Sequence, residues 1–365
     1  MKVYLVLGYW VSLLAVCSAV NAVDTPGLSQ LQTTGNCAGC NLAGADLSGM
    51  ALSRSDLRGA DLQGADLSRT DLQRALLYRT DLQGARLIGA DLEGASLGRA
   101  NLKSAQMQGQ RLYRGRLSRA DLRHADLRKG DLRQANLSGA DLRGALLTDA
   151  DLSGADLTQS RLEGTDLQGA RLDGANLRGL DLSQVKTLAG ASLRSAELRH
   201  ADLRGLDLRG VDLREARLLQ ADLSGTNLQG ADLRDTEMKK VRLVDADLSG
   251  ADLRNSRMQG AKLQGVNLRK ANLEGVELSG NLIGLDFSQA TLIRASLAGA
   301  NLKDARFHDA RLQYVDLQGA NLYGADFTGA SLQRCNLRKA NLRQAIFEGV
   351  DLEGNLMDET DETEH

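Results

Sequence analysis

Few residues stand at spacings that could do chemistry. Cys37 and Cys40 form a C-x-x-C pair. A structural zinc site needs four ligands, and no other Cys or His lies close in sequence. Haem attachment fails because Asn41, not His, follows Cys40. A redox pair wants a helix N-terminus to lower one thiol pKa, whereas the residues after Cys40 enter an extended repeat. Two readings remain: a disulfide formed in an oxidising compartment, or two small core residues. His124, His200 and His308 are scattered, and His365 is terminal. There is no Ser/His/Asp grouping, no H-E-x-x-H and no phosphate-binding glycine loop. The many Asp recur too regularly to be catalytic pairs. No catalytic residue, metal or cofactor is expected, and the chain is not expected to be an enzyme.

Two basic stretches could bind a partner. Residues 111–143 carry nine Lys/Arg against four Asp, with Tyr113 among them. Aromatics are enriched at contact sites, so Tyr113, Arg114, Arg119, Arg123 and Arg128 form the candidate contact surface. A second run, Arg194, Arg199, Arg204, Arg209 and Arg214, recurs at steps of five. The alternative is that each Arg is offset by a neighbouring acid, in surface pairs that contribute little singly.

The composition limits what can position these groups. The chain has 365 residues, 42% hydrophobic but only 3% aromatic, with 39 Gly, 1 Pro and net charge −2. Four Phe and one Trp cannot fill several ordinary cores, so the apolar fraction must be Leu, Ala and Val. Residues 1–22 have the layout of a secretory signal peptide: Lys2, an apolar run from Val3 to Val20, then Val20-Asn21-Ala22 as a cleavage site. Export follows, to a periplasmic or extracellular location, and the mature chain is expected to have no transmembrane span.

The rest of the chain has a period of five. From Leu42 an apolar residue recurs at every fifth position to Leu182. The register then slips by one, runs from Leu188 to Leu278, slips back at Leu282 and continues to Met357. All 64 centres are Leu, Met or Phe. Neither a helix nor an ordinary strand has this period. With the centre called i, position i−2 is mostly Ala, i−1 is often Asp or Asn, and Gly is frequent at i+2, where a turn wants positive φ. Each pentapeptide reads as a short strand plus a turn, so the chain winds into an all-β solenoid. Phe287, Phe307, Phe327 and Phe347 are centres spaced 20 apart. One stacked column of Phe explains this, with four pentapeptides per coil, a square section and about 16 coils over residues 40–357. Lys186 is the only charged residue at an i−2 position, which predicts a broken interior register there. Residues 23–39 are expected to cap the N-terminal end, with a short helix over 25–35. Residues 358–365 are expected to be an acidic disordered tail.

These repeats, as in Ala135-Asn136-Leu137-Ser138-Gly139-Ala140-Asp141-Leu142, resemble the pentapeptide-repeat family, whose repeat is written A(D/N)LXX. The resemblance covers residues 40–357. It implies a right-handed quadrilateral parallel β-helix. Some members resemble a DNA duplex in size and negative surface, and bind type II topoisomerases. That role needs a strongly acidic rod, and residues 23–357 carry about +2 once Lys2 and the five tail acids are set aside from the net −2. The expected function is therefore a non-catalytic, exported scaffold presenting rigid faces to an unknown protein or envelope component. Nucleic acid is not expected as a partner. A DNA mimic that binds topoisomerase, or a secreted effector, is the alternative.

Overall fold

The computed structural model describes residues 25–358. The expected signal peptide, residues 1–22, and all but the first residue of the expected tail lie outside this range. One helix, α1 (Thr25–Thr34), precedes the repeats. Two short strands, β1 (Arg311–Gln313) and β2 (Ser331–Gln333), pair in parallel, residue on residue, twenty apart. Elsewhere most repeats contribute a single parallel bridge to the coil above, as in Asn41↔Asp61 and Asp61↔Asp81.

The repeat can be derived from its amides. Leu42 N–H donates to the Asp61 carbonyl of the next coil (2.7 Å), and Gly44 N–H to that of Gln63 (2.8 Å). Asp61 N–H reaches back to the Cys40 carbonyl (2.8 Å), while Ala45 N–H closes a turn onto the Leu42 carbonyl (3.0 Å). The fifth amide, at i+1, has no backbone partner. It donates instead to the side chain at i−1: Ser48 N–H to Asp46 Oδ1 (3.0 Å), Gln63 N–H to Asp61 Oδ1 (3.1 Å). This is why Asp or Asn recurs at i−1. Its carboxylate or amide oxygen satisfies the one amide that the ladder leaves over.

The turn requires positive φ at i+2, and the backbone adopts it whatever the residue. Thirty non-glycine residues, all at i+2, have φ from 54 to 62°. Gly holds most of the remaining i+2 positions, because it enters this region without steric penalty. The centres point inward, and every one from Leu42 to Leu342 is buried. Small residues at i−2 fill the corners. Where Thr replaces Ala there, its hydroxyl donates to a centre's carbonyl, either in the coil below, as Thr70 does to Leu47 (2.9 Å), or at the preceding centre, as Thr226 does to Leu223 (2.7 Å). The four Phe rings stack with centroids 4.9, 4.6 and 5.1 Å apart and nearly parallel planes. The coil repeat sets this spacing, which falls within the range of stacked aromatic pairs.

The two register slips are absorbed differently. Between Asp166 and Thr187 the bridges step by 21 residues, and between Asn267 and Asp286 by 19. The sequence predicts a broken interior register at Lys186; the inward packing instead continues past it, while the ladder beside it is interrupted, Arg161 and Thr187 having no bridge to the coil above among the described residues. Val185 takes the inward corner, 7% exposed, and Lys186 is the extra residue. It turns outward, and its ammonium meets Asp166 Oδ2 at 2.9 Å. At the deletion, Gly280 serves both as the turn residue after Leu278 and as the corner before Leu282, with φ +94°.

At the N-terminal end, α1 lies across the first coil. Leu31 is buried, Leu28 packs on the core, and Gly27 faces Cys40 and Leu42. Gly35, at φ +68°, ends the helix with its N–H on the Leu31 carbonyl (2.9 Å). At the other end the centres Phe347, Leu352 and Met357 are only half-buried, against the expectation of full burial to Met357. Asp358, assigned by the sequence to the tail, accepts the Lys339 N–H (2.7 Å).

One corner breaks the pattern, and the repeat analysis missed it. Gln110 sits at i−2, fully buried, and neither polar atom of its amide has a partner among the described residues. Gly130, directly above, leaves the room that this side chain fills; a β-carbon there would collide with the amide.

Two predictions follow from the packing. Leu132→Lys buries an unpaired charge and should cost more than about 4 kcal/mol, whereas Arg133→Ala on the outside should change stability little. Comparable denaturation midpoints for the two variants would contradict the inside–outside assignment. The double variant Gln110→Ala/Gly130→Ala should raise stability by about 1–3 kcal/mol, because it removes an unsatisfied buried amide and refills its space. A lowered melting temperature would show that the amide has a partner.

Candidate binding surface

The outward positions are i−1, i+1 and i+2. Residues i−1 and i+1 flank the same centre and point out of the same side, so an Asp-Leu-Arg triplet sets a carboxylate beside a guanidinium. Arg133 donates from Nε to Asp131 Oδ1 (2.8 Å) and from Nη2 to Oδ2 (2.7 Å). Arg123 on Asp121 and Arg128 on Asp126 repeat the geometry. The same Asp Oδ1 accepts the i+1 amide. The guanidinium therefore holds Asp121 and Asp131 below the usual carboxylate range.

An Arg at i+2 has no such neighbour. None of the nine Arg with positive φ, all at i+2, makes an ion pair among the described residues.

The candidate contact residues separate on this rule. Tyr113, Arg114, Arg119, Arg123 and Arg128 fall within one twenty-residue coil, so the chain carries them around the rod, and they do not form one face. Arg123 and Arg128 are bound to their own Asp. Arg114 stacks over Tyr113 (5.0 Å) and donates to Gln134 Oε1 (2.9 Å). Arg119 makes no ion pair among the described residues. The run Arg194–Arg214 is paired throughout, to Glu215, Glu197, Asp202, Asp207 and Asp212. There the offset reading holds.

Cys37 and Cys40 stand at the start of the first coil with Cα atoms 5.3 Å apart and their sulfurs joined. Cys335 fills an i−2 corner, where burial pushes its thiol pKa up and keeps it protonated. His124 and His200 occupy turns of different coils, and His308 lies beside Asp326 (3.0 Å). Among the described residues no group of three His, Cys, Asp or Glu could hold a metal, and no helix is long and apolar enough to cross a membrane.

The profile described as Pentapeptide repeats, in eight copies, matches consecutive and overlapping segments from residue 36 to residue 354. The chain belongs to the pentapeptide-repeat family. Its four-sided parallel coil is the family's right-handed quadrilateral β-helix. Among solved structures it is similar to HetL, a pentapeptide-repeat protein involved in heterocyst differentiation regulation in the cyanobacterium Nostoc sp. strain PCC 7120. The identity is 31% over 70% of this chain and 97% of HetL, with a TM-score of 0.28. It is also similar to QnrB1, a plasmid-mediated fluoroquinolone resistance protein, at 20% identity over 65% of this chain and 91% of that one (TM-score 0.29). A third, Rfr23 of the cyanobacterium Cyanothece 51142, is 28% identical over 40% and 92% (TM-score 0.18). Sequence comparison with curated proteins finds no significant match.

For this pentapeptide-repeat chain the paired carboxylates set an acid limit. The folded pKa values of Asp121, Asp131, Asp212 and Asp232 lie below the unfolded ones, so these groups stabilise the fold above about pH 4. That contribution is lost as pH falls through the lowered values. Melting temperature should therefore drop with acidification below pH 4. Asp131→Asn, which keeps the cap on the Arg133 amide but cannot ionise, should lose less stability across that window than the parent. An equal loss in both would remove the Asp131–Arg133 pair from the account.

Proposed function

We propose that the chain is an exported, non-catalytic scaffold whose rigid faces bind a protein or envelope component. The observation that carries this reading is the outward surface. Side after side it presents polar and charged side chains, mainly Asp, Arg, Gln and Ser, on a backbone whose amides are largely committed to the ladder, which suits recognition by a flat face. Solenoids work in this way, each repeat adding contact area without a cleft. HetL is named for a part in regulating differentiation and QnrB1 for resistance to a drug, neither for a reaction. Export rests on the layout of residues 1–22.

Mimicry of DNA is the weaker reading. A duplex presents an unbroken anionic backbone, whereas here many acidic columns are neutralised by Arg two residues along the chain, as at Asp131 and Asp212.

The test is a pulldown from an envelope fraction with the mature chain, residues 23–365. A discrete envelope protein or polymer, retained through washing, supports the scaffold; its absence, together with potent inhibition of topoisomerase supercoiling by the same protein, overturns it. Intact mass of the exported form should show cleavage after Ala22, and Cys37 and Cys40 should not react with a thiol reagent until reduced. A mass that retains residues 1–22 contradicts export with cleavage.

A further inference from the structure

One side of the rod has no acid over four successive coils. It is the side bearing the centres Leu77, Leu97, Leu117 and Leu137. Its outward residues lie in the segments 74–79, 94–99, 114–119 and 134–139, and none of these contains Asp or Glu. At one corner Arg79, Arg99 and Arg119 stand in a column, each joined to the coil above through its amide: Arg79 N–H to Gly98 O (3.1 Å), Arg99 to Ser118 O (3.0 Å), Arg119 to Ser138 O (2.9 Å). The step along the column is about 4.8 Å. The opposite corner carries Arg74 and Arg114, with Gly94 between them, and Arg116 stands mid-face. All six guanidinium groups are exposed, and none makes an ion pair among the described residues. Their one hydrogen-bond acceptor among side chains is the neutral Gln134.

This face is not what the repeat requires. Like charges stacked directly opposite on neighbouring strands repel. The turn itself prefers Gly, which serves at the equivalent corner in Gly59 and Gly139. Residues 74–119 hold nine Lys/Arg and three Asp/Glu, in a chain whose net charge is −2. Between the two columns the floor is low: Ser96, Gly98 and Ser118, with the Tyr78 ring, 38% exposed, reaching over Gly98.

We propose that this face binds an acidic polysaccharide laid along the rod axis. The proposal rests on the reading of the chain as a binding scaffold, and gives that scaffold its face and its partner class. Each guanidinium offers a planar fork that matches a carboxylate or sulfate in bidentate fashion. A column of them at one-coil steps suits a linear polymer with an anionic group on successive sugars. Ser96 and Ser118 supply hydroxyls that both donate and accept, as sugar hydroxyls require. Single-stranded nucleic acid wants successive aromatic platforms for its bases, and this face carries one ring, Tyr78.

The test uses the full mature chain and polygalacturonate as probe, with dextran, single-stranded DNA and phosphatidylglycerol vesicles in parallel. Polygalacturonate should bind, dextran should not, and rising salt should weaken the complex. The variant Arg79→Gly/Arg99→Gly/Arg119→Gly places at each turn the residue that other repeats use, so it keeps the fold. It should weaken binding by at least about tenfold, a difference of roughly 1.4 kcal/mol. The charge-matched variant Arg204→Ser/Arg209→Ser/Arg234→Ser, which removes three paired Arg, should bind like the parent. Equal loss in both variants would reduce the effect to net charge and overturn the proposal. Tighter binding to DNA or to vesicles would also overturn it, replacing the partner class. If no probe binds while the envelope pulldown still retains a partner, this face is wrong and the scaffold reading stands.

Discussion

Five amides per repeat need partners, and the architecture is the solution to that requirement. Two N–H groups point up the rod, one points down, and one closes the turn. The fifth is left to a side chain, in most capped repeats the one two residues earlier in the sequence, and at Arg194 the Asp173 carboxylate of the coil below. An extended chain that turns every five residues leaves no backbone acceptor for it, and burying an unmet amide costs roughly what a lost hydrogen bond does. The positive φ at i+2, the Asp or Asn at i−1 and the inward centre are three expressions of this one constraint. Variation is tolerated where the inward packing continues, even though the ladder loses bridges beside each slip, at Arg161, Thr187 and Lys262. Lys186 can be inserted because Val185 still turns inward. The deletion closes because Gly280 reaches φ +94°, which a residue with a β-carbon would resist.

The same Asp governs the charge of the surface. Once it caps the i+1 amide, its second oxygen faces whatever stands at i+1. An Arg there is held at short range, and the pair presents almost no field to a partner. Neutrality is therefore the default state of this surface. An Arg at i+2 escapes the staple because the turn carries it around the corner. Charge available for recognition thus concentrates along the edges of the rod, and Arg79, Arg99 and Arg119 are the clearest case.

The fold was legible in the sequence because its signal is repeated. A period of five excludes helix and strand, and four Phe twenty apart give the coil its four sides. The face was not legible as a stretch. Neighbours in sequence lie on different sides, so residues 111–143 gathered charges from the whole circumference, paired and unpaired alike. Arg114 and Arg119 were picked out with Arg123 and Arg128, although the first two stand at i+2 and the latter at i+1. Reading the Arg positions at steps of twenty would have separated them. The cap formed by Asp at i−1 was also missed, because periodicity shows that a residue recurs without showing which amide it serves. Gln110 escaped as the one buried amide side chain at a corner otherwise filled by small residues or, at Leu180, Leu206 and Leu285, by apolar ones, and it is matched by a glycine twenty residues on.

The central claim is the stacking register: residues twenty apart lie directly above one another, and the separation becomes twenty-one across Lys186 with the interior unbroken. Paired cysteines and a short bifunctional thiol reagent measure it directly. Ser118→Cys with Ser138→Cys should cross-link efficiently, as should Asp173→Cys with Arg194→Cys across the insertion. Ser118→Cys with Arg133→Cys, fifteen apart and on a different side, should not. Cross-linking of the fifteen-residue pair as readily as the twenty-residue pair, or failure of the twenty-one-residue pair, would contradict the four-sided coil and the charge separation built on it.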